Sequence, residues 1–227
     1  LSLIKGDTAF KPPDYEFRLT PIINFNHVEV EENRVLKADP RLGRHRSDRH
    51  IALAEAFFDY HIRNVSDRYD FDSVRIGIQP FSSDFRGFLF QDSQLGIRFF
   101  GDRDNNIFQY NLAWFRRLEK DTNSLLNHIE RKIRDDDIFI ANLYWQDFPV
   151  LGFQSQVTGI YNRNNEAGDF FFNDNEFIER PASFGSERGR NYDVVYLGYN
   201  GDGHFDRRKL TTSFYTALGS NRDSAFT

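Results

Sequence analysis

Side chains alternate between two chemical types along IFQYNLAWFRR, residues 107–117. Every second position is large and apolar or aromatic: Phe108, Tyr110, Leu112 and Trp114. The positions between them are small or carry amides: Gln109, Asn111 and Ala113. Successive side chains of a β-strand point to opposite faces, so the pattern predicts a strand with one apolar and one polar face. A half-buried strand of a soluble sheet fits this pattern, and so does a strand with lipid on one side and water on the other.

The composition restricts the kind of membrane protein that this chain could form. Of the 227 residues 16% are aromatic and 25 are Phe, yet the mean hydropathy is −0.62. The apolar residues are therefore dispersed along the chain, and no apolar run approaches the roughly 18–20 residues of a membrane-spanning helix. A strand of a membrane barrel needs only about 9–11 residues, of which alternate ones are apolar. The composition excludes a helical membrane protein and leaves a membrane β-barrel open.

Period-two patterning predicts nine strands along the chain. They cover residues 14–30, 49–62, 72–81, 94–100, the segment that begins at Ile107, 138–146, 152–162, 192–200 and 209–218. The second of these is ambiguous, because ALAEAFFDYHI also reads as an amphipathic helix and Ala, Leu and Glu are good helix formers. We predict a strand there.

The connections between these strands alternate in length. The long ones cover residues 31–47, 82–93, 118–136 and 163–190, and the short ones cover 63–71, 102–106, 147–151 and 201–208. An up-and-down arrangement with long loops at one end and short turns at the other is typical of outer-membrane barrels. Greek-key sandwiches usually break such an alternation with crossover connections. The sequence therefore predicts an all-β fold, a transmembrane antiparallel up-and-down β-barrel with about nine strands visible.

Residues 1–227 are expected to form a single barrel domain that is a fragment of a longer barrel. The chain contains no Met, even at position 1, and an odd strand number is unusual for a single-chain bacterial barrel. Within the longest connection, FFFNDNEF (Phe170–Phe177) is unexpectedly aromatic for a free loop. We expect it to extend a strand or to fold back inside the barrel.

Motifs that carry catalysis or bind cofactors and metals are not found. The chain has no Cys, none of its six His residues are spaced i, i+4, and it contains no nucleophile elbow, Walker loop or GxGxxG motif. DRDNN and NGDGHFD are rich in acids and amides but lack EF-hand spacing, and Asp, Asn and Gly suit tight turns. The net charge of −5 gives no basic field for nucleic acid. We therefore predict a protein that is not an enzyme, with no catalytic, cofactor-binding or metal-binding residues and no nucleic-acid partner.

Polar residues on the faces opposite the apolar rows are the candidate functional residues. If the apolar rows face lipid, twelve polar side chains line a lumen: Glu16, Arg18, Glu55, Asp59, Arg75, Gln79, Arg98, Gln109, Asn111, Gln154, Gln156 and Thr158. Arg75 and Arg98 lie centrally in adjacent strands, where a charge facing lipid would cost about 2–4 kcal/mol. These residues predict a polar passage whose wall carries charges of both signs and selects among solutes. The alternative is a closed barrel whose lumen charges pair with one another and block it.

Several short motifs resemble a known type of bacterial protein. Glu55-Ala56-Phe57, followed by a turn and by Arg75-Ile76-Gly77-Ile78-Gln79, resembles a hairpin of porin-like and alginate-export-like barrels from Gram-negative outer membranes. Four further segments match this likeness: SDFRGFLF (Ser83–Phe90), NLAWFRRLEKDTNS (Asn111–Ser124), ANLYWQDF (Ala141–Phe148) and LGYNGDGH (Leu197–His204). The set is similar to a family of large uncharacterised outer-membrane proteins. The resemblance implies a location and an architecture, but no substrate and no catalytic residues.

Three functional hypotheses follow from these observations, and a fourth, an enzyme built on a barrel, has no motif in its support. The first is a channel in the outer membrane of a Gram-negative bacterium, with membrane lipid as its partner, that passes or exports a polar small molecule or polysaccharide. The second is an occluded outer-membrane barrel with a receptor or structural role, its lumen filled by a folded-in segment such as Ser82–Ser93. The third is a soluble β protein that binds carbohydrate on exposed aromatic side chains.

Overall fold

The computed structural model describes residues 1–6, 12–181 and 189–222. These residues are almost entirely β-strand, loop and turn, apart from one turn of 3-10 helix at Pro40–Leu42. The strands are β1 (Ser2–Lys5), β2 (Tyr15–Glu29), β3 (His45–Asn64), β4 (Phe71–Ser82), β5 (Gln91–Arg103), β6 (Phe108–Arg116), β7 (Glu119–Lys120), β8 (Asn127–His128), β9 (Asp136–Gln146), β10 (Phe153–Glu166), β11 (Arg190–Phe205) and β12 (Arg208–Asn221). No described segment forms a helix with the length and apolar character needed to cross a membrane.

Ten of the strands form one antiparallel sheet in which neighbours in sequence are neighbours in space. Its order is β1-β2-β3-β4-β5-β6-β9-β10-β11-β12, and β7 and β8 pair with each other within the connection from β6 to β9. The prediction of an all-β, up-and-down antiparallel fold is confirmed. Within the described residues the sheet is open, because β1 and β12 are its edges and do not pair with each other.

Nine strands of this sheet correspond to the nine predicted from the sequence, and β3 resolves the ambiguous segment in favour of a strand. Its alternation is interrupted by a β-bulge, where the pairing of β2 with β3 shifts between Thr20 and Pro21. Because of the bulge Ala52 lies on the same face as Phe57, although strict alternation would place an even-numbered and an odd-numbered residue on opposite faces. Of the two alternatives for Phe170–Phe177, the extension of a strand is wrong. The segment lies beyond the end of β10, and its Phe172 forms an isolated bridge with Ile178.

The four long connections predicted from the sequence lie at one end of the sheet. Because consecutive strands pair antiparallel, alternate connections fall on opposite ends. Residues 30–44, 83–90, 117–135 and the described part of the last connection, 167–181 and 189, are at one end, which we call the loop end. The four tight turns, residues 65–70, 104–107, 147–152 and 206–207, are at the other end, which we call the turn end.

One face of the sheet, which we call the outward face, is apolar and exposed. On this face, residues paired across neighbouring strands are apolar or aromatic, as in the row Ile97, Trp114, Phe139, Tyr161 and Val195. Leu112 is 53% exposed and Val157 is 57% exposed. The row that starts at Phe108 is therefore not buried in a core, and it covers about 20 Å of β6 at ~3.4 Å per residue.

The sheet is strongly curved, with the opposite face on the concave side, and we call that face the inward face. Four strand spacings separate β4 from β10, which would be about 19 Å in a flat sheet. Yet the carbonyl of Ser83, the first residue after β4, accepts hydrogen bonds from Thr158 at 3.0 Å and Gln156 at 2.8 Å. Only a sheet that curls round can bring β10 so close to the end of β4.

The backbone of β4 has an unusual conformation at Gly77, which we call the kink. Gly77 has a φ of +125°, and a Cβ there would lie 2.2 Å from the carbonyl oxygen of Ala56. Only glycine accommodates this combination of backbone angle and close approach. Beyond the kink, the Gln79 side chain turns back to donate to the Arg75 carbonyl at 3.2 Å. Residues Ser83–Phe90, which we call the inserted loop, then lie against the concave side of the sheet.

Candidate functional site

The register of the sheet places all twelve candidate residues on the inward face. Directly paired positions run from Glu16 to Asp59 to Arg75 to Arg98 across β2, β3, β4 and β5. A second row pairs Gln109 with Tyr144 and then Gln156, across β6, β9 and β10. Partners across an antiparallel ladder share a face. The remaining candidates lie on the same face by alternation along their strands: Arg18, Glu55, Gln79, Asn111, Gln154 and Thr158.

Charged side chains occupy this face on β2 to β5, and we call them the charged half. Its members are Glu16, Arg18, Glu55, Asp59, Arg75 and Arg98. Arg18 forms an ion pair with Glu16 at 2.6 Å and lies 3.7 Å from Glu55. Arg75 forms an ion pair with Asp59 at 2.7 Å. The Arg18 side chain remains 40% exposed and that of Arg75 20% exposed, whereas the carboxylates of Glu16 and Asp59 are buried beside them.

Aromatic rings support the two central arginines. The Arg75 guanidinium lies 4.3 Å from the centroid of the Phe57 ring, and that of Arg98 lies 4.3 Å from the Phe100 centroid. Cation–π contacts of this kind stabilise a guanidinium without neutralising it. Arg98 donates its Nε–H to Asn111 Oδ1 at 2.7 Å. Among the described residues it has no carboxylate within ion-pair distance. The centre of the inward face therefore holds one positive charge without a direct counterion.

Amides and hydroxyls occupy the same face on β6 to β12, and we call them the amide half. Its members are Asn111, Asn142, Gln156, Thr158, Asn200 and Tyr215. Asn111 donates to Asn142 at 2.7 Å, and Asn142 in turn donates to the Ser83 carbonyl at 3.1 Å. Gln156 and Thr158 donate to that same carbonyl and have no exposed surface. Three strand side chains therefore hold one carbonyl of the inserted loop.

Asp84 organises the inserted loop itself. Its carboxylate accepts backbone N–H bonds from Arg86 at 3.0 Å, Phe88 at 3.1 Å and Leu89 at 3.0 Å. Burial alone would raise the pKa of Asp84, but these donors outweigh it and hold the pKa below its ordinary value. Tyr215 of β12 donates to Asp84 at 3.2 Å. A single carboxylate thus shapes the loop and ties it to the far side of the sheet.

Apolar side chains fill the space between the inserted loop and the sheet. Phe81, Phe90, Phe115, Ile138 and Ile160 belong to one buried cluster, and the rings of Phe90 and Phe115 stack with centroids 5.4 Å apart. The inward face is therefore not polar throughout. Beside the amide half it carries a small hydrophobic core that fixes the loop.

Three of the predicted lining residues have more local roles. Gln79 is fully buried and bonds to the carbonyls of Arg75 and Gly96, so it reinforces the kink in β4. Gln109 donates to Asn106 in a tight turn at 2.6 Å. Gln154 lies near the turn end, at a shallow depression bordered by Phe85.

The pattern missed Asn142 and Asn200 as parts of this network, whereas the inserted loop lies within Ser82–Ser93, the segment that the occluded-barrel hypothesis expects to fold in. Asn142 could have been found, because it alternates with Leu143 on the sixth predicted strand. Asn200 escaped notice because residues 192–200 read as apolar on both faces. No pattern in SDFRGFLF indicates where the loop folds.

A buried ionic network joins the long connections at the loop end. Arg134 pairs with Asp136 at 3.0 Å and with Glu166 at 2.9 Å, and all three side chains are at most 8% exposed. Arg180, from the connection after β10, pairs with Glu166 at 3.2 Å and with Glu119 at 2.9 Å. Burial would lower the pKa of Arg134, but the facing carboxylates raise it overall. The two longest connections are therefore fastened to each other.

The described residues contain no cluster of three or more His, Asp or Glu side chains arranged to hold a metal ion. No family model matches the chain, and no curated protein or solved structure shows significant similarity to it.

Proposed function

We propose that this chain forms part of the wall of a β-barrel in the outer membrane of a Gram-negative bacterium. Its lumen would pass or export a polar solute, either a small molecule or a polysaccharide. The observation that carries the proposal is the contrast between an exposed apolar face and a polar, charged face on the same curved sheet. In the proposed barrel the edge strands β1 and β12 are paired, directly or through further strands, since a membrane barrel has no open edges.

Aromatic residues at the loop end of the outward face support a position at a lipid–water boundary. Trp114 donates its indole N–H to Asp137 at 2.9 Å, and Tyr161 donates its hydroxyl to Asp193 at 2.7 Å. Asp137 and Asp193 both pair in register with Arg163, so a charged row borders the apolar band. Aromatic rings whose polar tips reach a charged border are typical of the girdles of membrane barrels.

The charged half marks the path that a solute would take. The inserted loop seals the amide half, whereas Arg18 and Arg75 keep solvent-exposed surface. A mixed row of guanidinium and carboxylate groups lowers the cost of moving a polar or charged solute out of bulk water. In this proposal the inserted loop narrows the lumen and leaves the passage along β2 to β5.

Two measurements on the full protein test the proposal. Phase partitioning should recover it with membranes or detergent, and planar bilayers should show ion current after its insertion. Recovery in the aqueous phase without detergent would contradict the membrane assignment and favour a soluble carbohydrate-binding protein. Detergent-dependent protein that gives no current would contradict the channel.

An occluded barrel is the second candidate, and the inserted loop specifically favours it. Asn142, Gln156 and Thr158 all hold the Ser83 carbonyl, and the Phe85 N–H donates to Gln156 at 3.2 Å. A loop bound at so many points could close the lumen and support a receptor or structural role. A wild-type protein without current whose loop-destabilised variant conducts would establish this second candidate over the first.

A further inference from the structure

A polar cleft of about 340 Å³ lies at the loop end, away from the inserted loop. It is bordered by Ser47–Ile51 of β3, by residues 121–131 and by residues 173–179. β4 pairs with β3 only from Ala56 onward, so the Ser47–Ile51 edge of β3 has no neighbouring strand on that side.

Three buried polar atoms of residues in the cleft wall lack hydrogen-bond partners among the described residues, and one of them is the donor Arg131 Nε. Glu179 is only 7% exposed; its Oε1 accepts from Arg131 at 3.4 Å, while its Oε2 has no partner. His128 Nδ1 is likewise buried and without a partner, and the His128 ring lies 4.9 Å from that of His50. Native proteins satisfy nearly all such groups, so the unpartnered carboxylate oxygen of Glu179 indicates a missing donor.

Acidic side chains outnumber basic ones around the cleft. Its carboxylates are Asp48, Asp121, Glu130, Asp174 and Glu179, and its arginines are Arg49 and Arg131. Arg131 is held by Glu179, and Arg49 lies 5.9 Å from the Phe25 ring. Burial raises the pKa of Glu179 despite the opposing field of Arg131, as expected for a carboxylate that lacks a full set of donors.

We propose that this cleft binds a small organic ammonium compound about the size of an amino sugar. An ammonium group supplies up to three N–H donors and one positive charge, which match the unpaired carboxylate oxygen and the acidic excess. A bare metal ion fits less well, because the described side chains do not bring three metal-binding groups together. The volume lies at the small end of the usual range for ligand sites, about 300–1,000 Å³.

The test compares two sugars that differ in one functional group. Isothermal titration calorimetry on the full protein in detergent should show binding of glucosamine at least tenfold tighter than that of glucose. Glu179→Gln should weaken glucosamine binding at least tenfold and leave glucose unchanged. The matched control is Glu32→Gln, at an exposed position outside the cleft, and it should bind both sugars as the wild type does.

A second variant protects the test against misfolding, because Glu179 also pairs with Arg131. Asp174 lines the cleft, is exposed and has no ion pair among the described residues, so Asp174→Asn should fold and weaken glucosamine binding several-fold. Equal affinity for the two sugars, no binding of either, or full glucosamine affinity in both cleft variants would overturn the proposal. The measurement needs no passage through the lumen, so its failure is distinct from failure of the proposed channel.

Discussion

The two halves of the inward face use polar residues in different ways. In the charged half, Arg18 and Arg75 pair with buried carboxylates but keep exposed surface themselves, as with the 40% exposure of the Arg18 side chain. In the amide half, Gln156 and Thr158 are fully buried beneath the inserted loop. The same sheet, with the same alternation, is therefore open on one side and sealed on the other.

The difference follows from the cost of burial. A neutral amide can be buried cheaply if it is hydrogen-bonded, and the Ser83 carbonyl provides an acceptor for Gln156 and Thr158. A guanidinium or carboxylate loses far more solvation on burial, so it stays near water unless it is fully paired. Amides therefore suit the place where a loop docks, and charges suit the place that remains hydrated.

The largest loss of stability is expected from a charge on the outward face, which lies behind both halves of the inward face. Leu112→Arg should destabilise the inserted protein by about 2–4 kcal/mol, because it places a charge against the apolar band. Gln109→Arg, on the same strand but facing inward and half-buried, should be tolerated. Urea titration of folding in lipid vesicles measures both. Equal destabilisation would mean that lipid does not cover the outward face.

Releasing the inserted loop should convert the sealed half into an open one. Asp84→Ala removes the acceptor of three backbone N–H bonds, and hydrogen bonds to a charged group contribute about 1.5–3 kcal/mol each. We expect the single-channel conductance to rise at least twofold. Asp67→Ala, in an exposed turn at the opposite end, is the control. Unchanged conductance in Asp84→Ala would show that the loop does not limit the lumen.

A change in the charged half should alter selectivity more than conductance. Asp59→Asn leaves Arg75 without its carboxylate at 2.7 Å. The Coulomb energy between one unit charge and an ion ~10 Å away in water is about 0.4 kcal/mol. This energy corresponds to roughly a twofold change in permeability ratio. Reversal potentials in a salt gradient should therefore shift toward anions. Asp193→Asn, at the charged border on the outward face, should leave them unchanged.

Local patterns predicted the strands and the two faces, because alternation and turn chemistry are local signals. The Asp59–Arg75–Arg98 row illustrates this, since correct strands and correct turns fix which residues pair. The occluded-barrel hypothesis named Ser82–Ser93 as a folded-in segment, but the contacts of that segment could not be predicted in the same way. They are made by side chains of β9 and β10, which are about 60 to 75 residues away in sequence. Curvature is a property of the whole sheet, and no single segment encodes it.

The effect of pH should also separate the two halves. Asp84 has a folded pKa below its ordinary value of 3.8, so its ionised form stabilises the loop above that value. This stabilisation is lost as the pH falls through the lower, folded pKa. We expect the conductance of the wild type to be constant from pH 8 to pH 5 at fixed ionic strength and to rise only below about pH 4. Asp84→Ala should show no such acid-induced rise, because its loop is already released at neutral pH. A rise of equal size in both proteins would assign the acid response to the carboxylates of the charged half.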